Sequence, residues 1–162
     1  MIKILFLTIG DNSVASSRVR VYSYLPYLQR RGFKVSVMHY TPSWQCRKIL
    51  AMKKQNFFEK VFSKLYSTIA IVSLFIFSPF FDVIYIQKVT LSKFTIMVLK
   101  ALNDNIIFDF DDAIFIYKDI THLLENSTRV VVSNKYLKEF ASRYNKRVYE
   151  LVSPVTVNLF SS

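Results

Sequence analysis

The sequence has very little glycine and cysteine. Its only glycines are Gly10 and Gly32, and its only cysteine is Cys46. A β-sandwich or β-barrel needs many tight turns, which glycine favours, so this scarcity argues against both classes. A single cysteine cannot form an internal disulfide, and this favours a reducing compartment such as the cytoplasm.

Acidic residues are scarce in the first two-fifths of the chain. The formal net charge is +11, and residues 1–64 carry 12 Lys and Arg but only two acids, Asp11 and Glu59. Residues 65–162 are nearly neutral. This asymmetry predicts an anionic partner, either a lipid surface or a nucleic acid, unless the charge only keeps an apolar chain soluble. Because no zinc-finger or RNP pattern appears, a nucleic acid is disfavoured.

Apolar runs typical of buried strands alternate with helical patterns along the chain. This alternation predicts an α/β fold, a single Rossmann-like, doubly wound parallel sheet of about six strands with helices on both faces. Right-handed crossovers place the first strand centrally, in the order second, first, third, fourth, fifth, sixth. The predicted strands cover residues 2–9, 35–40, 83–87, 106–110, 129–133 and 148–152.

The helices between these strands show caps and breakers. A cap at Ser16 or Ser17 is predicted to start the first helix, Pro26 to kink it or shift its start, and Gly32 to follow its end. Further helices are predicted over residues 45–56, 57–81 and 92–102, and after Ser133 or Asn134. Residues 113–126 are predicted as a loop or short helix.

Three carboxylates follow one another at the end of the fourth predicted strand. Asp109, Asp111 and Asp112 interrupt an apolar run, and aspartate disfavours strands and favours turns and caps. Because ligands of open α/β sheets bind at the carboxyl ends of the strands, we interpret Asp111 and Asp112 as candidate catalytic groups, one of them a general base. Acids that merely cap a helix are the alternative. We predict no metal site, because the strand ends before Asp111 can share a face with Asp109.

The loop after the first strand is predicted to meet an anionic ligand. Backbone amides, serines and arginines gather there at the start of a helix, which suits a phosphate, although a solvated helix start is the alternative. The absence of GxGxxG and P-loop patterns argues against ordinary dinucleotide or P-loop chemistry. In the predicted sheet, the loops after the first, third and fourth strands face one crevice. The predicted ligand contacts are Gly10, Asn12, Ser16, Ser17, Arg18, Arg20 and Gln87.

A long uncharged run follows the basic region. Residues 65–81 contain no charged side chain, and four lysines precede them, namely Lys53, Lys54, Lys60 and Lys64. The favoured interpretation is a helix that covers the sheet. An interfacial helix whose lysines contact anionic headgroups is the second interpretation, and a transmembrane span is the third, since the run is short and contains serines and Pro79. His39 and His122 stand alone and predict no metal ligand.

Several segments, in the same order along the chain, resemble the N-terminal domain of bacterial GT-B glycosyltransferases of the family 4 type. The segment 107–115 resembles the acidic D-x-D-D-A-x-F element of that family. The other segments are 16–22 with 25–28 and 31–35, then 82–88, 130–137 and 152–155. The resemblance implies a two-domain, metal-independent transferase without a cofactor, in which the N-terminal domain holds the acceptor and the C-terminal domain the nucleotide-sugar.

The resemblance also gives an expected domain division and function. Residues 1–155 form the acceptor-side domain, residues 156–162 begin the interdomain linker, and the donor-binding C-terminal domain is absent, so this chain alone is expected to be inactive. The implied partners are that missing domain or a split-enzyme partner, a glycan or lipid-linked acceptor of cell-surface polysaccharide synthesis, and the inner face of the plasma membrane. Thr156 departs from the family's aspartate, and Asp111 and Asp112 stand where many relatives carry a histidine, which leaves the base open. The rival interpretation is a non-catalytic basic module on an anionic membrane or nucleic acid.

Overall fold

A computed structural model describes residues 1–152, which form one six-stranded, all-parallel sheet flanked by helices. The fold is therefore α/β and Rossmann-like, as predicted. The predicted linker at 156–162 and the segment 153–155 lie outside the described residues. The strands are β1 Lys3–Thr8, β2 Lys34–His39, β3 Val83–Gln87, β4 Ile106–Phe110, β5 Arg129–Val132 and β6 Val148–Glu150.

The strand order is β2-β1-β3-β4-β5-β6, and this confirms the predicted order. The direction in which successive strands are added to the sheet reverses once, after β2. As a result, β1 pairs with β2 on one side and with β3 on the other. The carboxyl ends of β1 and β3 therefore mark the point where the loops diverge, and this is where ligands of such sheets bind.

Seven α-helices connect the strands in the described part of the chain. Their bounds mostly agree with the predictions, and a 3-10 turn extends the fourth helix through Ser78–Phe80. Gly32, with φ of 83°, follows the second helix as predicted. The helices are α1 Ala15–Arg20, α2 Leu25–Arg30, α3 Ser43–Leu50, α4 Phe57–Phe77, α5 Lys93–Leu102, α6 Thr121–Asn126 and α7 Lys135–Ala141.

The first predicted helix is divided in two. A 3-10 turn at Tyr22–Tyr24 separates α1 from α2, and Pro26 lies in the first turn of α2, where a missing N–H costs nothing. Proline thus shifts the start of the second piece, as expected. The predicted serine cap is wrong, because Val14 precedes α1 without a side-chain cap and Ser17 turns inward instead.

The hydrophobic core lies on one face of the sheet. Leu7, Ile86 and Phe108 point into it from the central strands and meet α4, α5, α6 and α7. Because side chains alternate along a strand, Thr8, Gln87 and Asp109 point to the opposite face. Contacts from Ser17 and Arg20 show that α1 lies over that face. The sheet thus separates an apolar core from a polar layer beneath α1.

Candidate functional site

A row of polar side chains ends the three central strands. Thr8 of β1 pairs in register with Gln87 of β3, and Gln87 with Asp109 of β4. All three side chains are fully buried. Burying polar groups in a sheet is unfavourable unless they bond, so each of them needs a partner at this edge.

Arg20 of α1 supplies the partner of Asp109. Its Nε donates to Asp109 Oδ2 at 3.1 Å and its Nη2 donates to Oδ1, which makes a bidentate pair. Its Nη1 donates to the Leu151 carbonyl at 2.5 Å. Burial alone would lower the pKa of Arg20, but Asp109 outweighs burial and raises it, so the guanidinium stays charged. Burial raises the pKa of Asp109, and Arg20 only partly offsets that effect. Arg20 was predicted as a ligand contact; in the structure it is buried and paired with Asp109, and the ligand contact stays a prediction.

Ser17 and Gln87 form a second buried contact beneath α1. Ser17 Oγ donates to Gln87 Oε1 at 3.1 Å, and the Ile9 N–H approaches the same oxygen at 3.5 Å. Gln87 Nε2, in contrast, finds no hydrogen-bond acceptor within residues 1–152.

The two candidate catalytic carboxylates lie in the turn that follows β4. The strand ends at Phe110, as predicted, and Ser133 Oγ donates to the Asp111 carbonyl at 3.0 Å, which fixes this turn to the end of β5. The Asp111 side chain is largely buried, while that of Asp112 is 65% exposed. In this turn, Asp111 is therefore the more buried carboxylate and Asp112 the exposed one.

Lys88 joins both carboxylates. Its Nζ lies 3.2 Å from Asp111 Oδ1 and contacts Asp112 Oδ2. Burial lowers the pKa of Lys88, but the two carboxylates outweigh burial and raise it, so the lysine stays charged. Lys88 also adopts a left-handed conformation with φ of 59°, which is uncommon outside glycine and concentrates at functional sites.

Two buried side-chain polar atoms in residues 1–152 lack a well-formed hydrogen bond, Gln87 Nε2 and Asp111 Oδ1. Asp111 Oδ1 nevertheless lies 3.2 Å from Lys88 Nζ, so its charge is compensated. Because both atoms are buried, a ligand would reach them only after a neighbouring side chain moves.

The loop after β1 packs tightly against α3. A Cβ on Gly10 would lie 2.6 Å from Cys46 Sγ and 2.7 Å from Val14 Cγ2, so only glycine fits. Asn12 and Arg18 are exposed, and Arg18 Nη1 donates to the Asn12 carbonyl at 3.1 Å. Burial raises the pKa of the Cys46 thiol, which suits a packing role.

Lys88 connects the loop after β1 with the acidic turn. It lines a depression of about 210 Å³ at the carboxyl edge, together with Ser16 and Cys46, and most of the remaining lining is apolar. Lys88 also contacts Asp111 and Asp112, which do not themselves line the depression. The meeting of loop and carboxylates at one crevice stays a prediction.

The four predicted membrane-contact lysines lie elsewhere. Lys53 and Lys54 fall between α3 and α4, Lys60 and Lys64 lie on α4, and all four are exposed. Within residues 1–152, no group of three or more His, Cys, Asp or Glu side chains is arranged to hold a metal ion.

Lys88 and the Arg20–Asp109 pair were not predicted. Lys88 directly follows β3, so the rule that selected Asp111 and Asp112, a polar residue after a central strand, would have selected it as well. Asp109 belongs to the apolar strand pattern and carries no sign of its partner 89 residues earlier. Contacts of that sequence separation follow only from the three-dimensional fold.

The fold and this edge define the class of protein. It is a Rossmann-like α/β domain with buried polar side chains at the carboxyl ends of β1, β3 and β4. No protein-family model matches the chain, and comparison with curated protein sequences gives no match.

Proposed function

We propose that this chain is the acceptor-side domain of a glycosyltransferase. A second, donor-binding domain completes the crevice, as the resemblance of segments such as 107–115 implies. Asp111 or Asp112 accepts the proton of an acceptor hydroxyl while the hydroxyl oxygen bonds to the anomeric carbon of a nucleotide-sugar. The bond from that carbon to the diphosphate breaks, and the nucleoside diphosphate leaves with the electron pair.

The observation that supports this proposal is the pair of carboxylates in the turn after β4, at the carboxyl edge of the sheet. The Asp112 side chain is 65% exposed, so an acceptor hydroxyl can reach it, whereas Asp111 lies more deeply against Lys88. Lys88 is the positioning residue, because it contacts both carboxylates and also lines the hollow beside Ser16.

The test is a transfer assay on the chain purified together with the proteins it binds in cells that make it. Labelled nucleotide-sugars are supplied with glycan and lipid-linked acceptors, and Asp111→Asn and Asp112→Asn are compared singly and together. We expect the double variant to lose transfer by at least about 100-fold, the lower end for removing a general base.

Asp104→Asn is the matched control. Asp104 is an exposed aspartate at the opposite edge of the sheet, before β4, and its replacement is expected to leave transfer unchanged. A double Asn variant with the full rate would overturn the assignment of the base. Turnover of a nucleotide-sugar by purified residues 1–162 alone would contradict the need for a second domain.

A further inference from the structure

Helix α4 is apolar on its outward side as well as on its inward side. A continuous row of large apolar side chains faces outward, each at least half exposed, whereas Leu74 and Ser63 are buried on the inward side. A helix that borders water normally carries polar residues on its outward side. The outward row, called the α4 stripe below, consists of Phe58, Phe62, Leu65, Ile69, Val72 and Ile76.

The inward side fastens α4 to the domain along its length. Ser63 Oγ donates to Gln45 Oε1, and Ser67 Oγ donates to the Tyr40 carbonyl at 3.0 Å. Further along, Leu74 is completely buried in the core. The stripe is therefore a surface of the folded domain and is not the side of a detached helix.

Length and composition alone would let this helix cross a membrane. Within the described residues, Phe57–Phe80 is the one helix that reaches the required hydropathy, with a mean of 1.7. Crossing would strip α4 from the sheet and expose Leu74 and its neighbours in the core. Lying in the plane of a bilayer keeps those contacts and still covers the stripe.

An apolar groove widens the surface beside the stripe. It measures about 700 Å³ and runs between α3 and α4, with Trp44, Phe62 and Leu65 in its walls. Arg47 and Lys48 stand at the same groove. An exposed apolar patch of this extent marks an interaction site in a folded domain.

The charged residues near the apolar patch favour an anionic partner. Lys53 and Lys54 are exposed in the segment that joins α3 to α4, Lys60 and Lys64 are exposed on the N-terminal half of α4, and Glu59 is bonded to Lys48. Apolar side chains bordered by lysines match the acyl boundary and headgroups of an anionic leaflet. A second copy of the chain would bring the same lysines against one another, which is unfavourable.

We propose that α3 and α4 dock this domain in the plane of an anionic lipid bilayer. Helix α3 lies between the bilayer and the candidate site, since Trp44 faces the groove while Cys46 and Ile49 line the hollow that contains Lys88. Docking therefore holds the crevice about one helix width, roughly 10 Å, from the lipid surface. This proposal is independent of whether the site transfers a sugar.

The lone tryptophan reports binding directly. Trp44 is the only tryptophan in the chain and lies in the groove, so its emission should shift to the blue when lipid covers it. The chain is titrated with vesicles of phosphatidylglycerol mixed with phosphatidylcholine, and with phosphatidylcholine alone. We expect binding to the anionic vesicles that weakens as salt is added.

Two pairs of variants separate the apolar and the basic contributions. Lys60→Gln with Lys64→Gln should weaken binding about fivefold per lysine, and Leu65→Gln with Ile69→Gln about tenfold or more per residue. The controls lie on α7, which packs against β5 and β6 at the other edge of the sheet, where Tyr136 is 71% exposed and Lys135 and Lys138 are also exposed. Tyr136→Gln is the control for the apolar variant, and the double variant Lys135→Gln with Lys138→Gln is the control for the lysine variant. Both should leave the affinity for vesicles unchanged.

Other outcomes overturn the proposal. Equal losses from the α7 controls would show attraction by net charge alone, without a docking face. Light scattering that finds a dimer broken by Leu65→Gln would assign the stripe to a second copy. Bound chain that resists extraction by alkaline carbonate would indicate a span. The α4 variants should also retain the wild-type circular dichroism spectrum. If such variants bind anionic vesicles as tightly as wild type does, α4 is not part of the interface.

Discussion

Helix α1 buries charged and polar side chains against the sheet, whereas α4 turns its largest apolar side chains outward. Beneath α1, Arg20 is 3% exposed and meets Asp109, which is fully buried. On α4, Phe58 is 73% exposed and Phe62 63% exposed. Each helix departs from the ordinary distribution of polar and apolar residues, and the two departures have opposite sense.

The two helices differ in the kind of partner that each of these surfaces is suited to contact. Buried polar groups bond in defined directions, so Arg20 and Ser17 fix the position of α1 over the ends of β3 and β4. The α4 stripe forms no directed bonds, and its apolar side chains suit a partner without fixed geometry. Hydrogen bonds thus fix the position of α1 near the candidate site, whereas apolar area and charge on α4 favour attachment of the domain to a surface.

Breaking the Arg20–Asp109 pair should have the largest effect on stability. Arg20→Met leaves the Asp109 carboxylate buried without its cation, and removing one partner of a buried pair costs about 3–5 kcal/mol. We expect a lower urea midpoint with an unchanged slope, measured by circular dichroism.

The double variant Arg20→Met with Asp109→Leu distinguishes charge from shape. Replacing both partners by apolar residues of similar size leaves no unpaired charge, so most of the lost stability should return. A double variant as unstable as Arg20→Met would mean that the lost contact to the Leu151 carbonyl, and not the unpaired carboxylate, dominates.

Most of the fold was predictable from the sequence. Apolar runs of strand length separated by helical patterns indicate a parallel sheet, and the handedness of crossovers fixes the strand order. The start of α1 was not predictable from Ser16 and Ser17, because the buried Gln87 competes for the Ser17 hydroxyl that would otherwise cap the helix. Local propensity describes isolated segments, and a contact 70 residues away overrides it.

The candidate site was predictable in position but only partly in composition. Asp111 and Asp112 stand out because they end an apolar strand, although aspartate also favours turns, so the pattern gives their position and not their role. Arg20 has the sequence appearance of an exposed anion contact, and its burial depends on Asp109, 89 residues away. Along α4 both sides contain apolar residues, so the pattern predicts a helix but does not say which side faces the core.

Replacing Gly10 tests the packing that brings the loop to the site. In Gly10→Ala the new methyl group would lie 2.6 Å from Cys46 Sγ, and relieving such overpacking costs about 1–3 kcal/mol. Cys46→Ala combined with Gly10→Ala removes that clash and should recover part of the loss, with Val14 accounting for the rest. A Gly10→Ala variant as stable as wild type would show that the loop shifts freely, and the hollow beside Lys88 would then not be preformed.

Polar substitutions on the α4 stripe should have the smallest effect on stability. Leu65→Gln with Ile69→Gln replaces two side chains that are 53% and 56% exposed, so the free energy of unfolding should change by no more than about 0.5 kcal/mol per residue. The same variant should stay in solution at higher concentration, because less apolar surface is exposed to other molecules. A loss comparable to that of Arg20→Met would place the stripe in the packing of the domain itself. Unchanged stability with higher solubility means that the fold does not need these side chains, and a partner is then the reason for them.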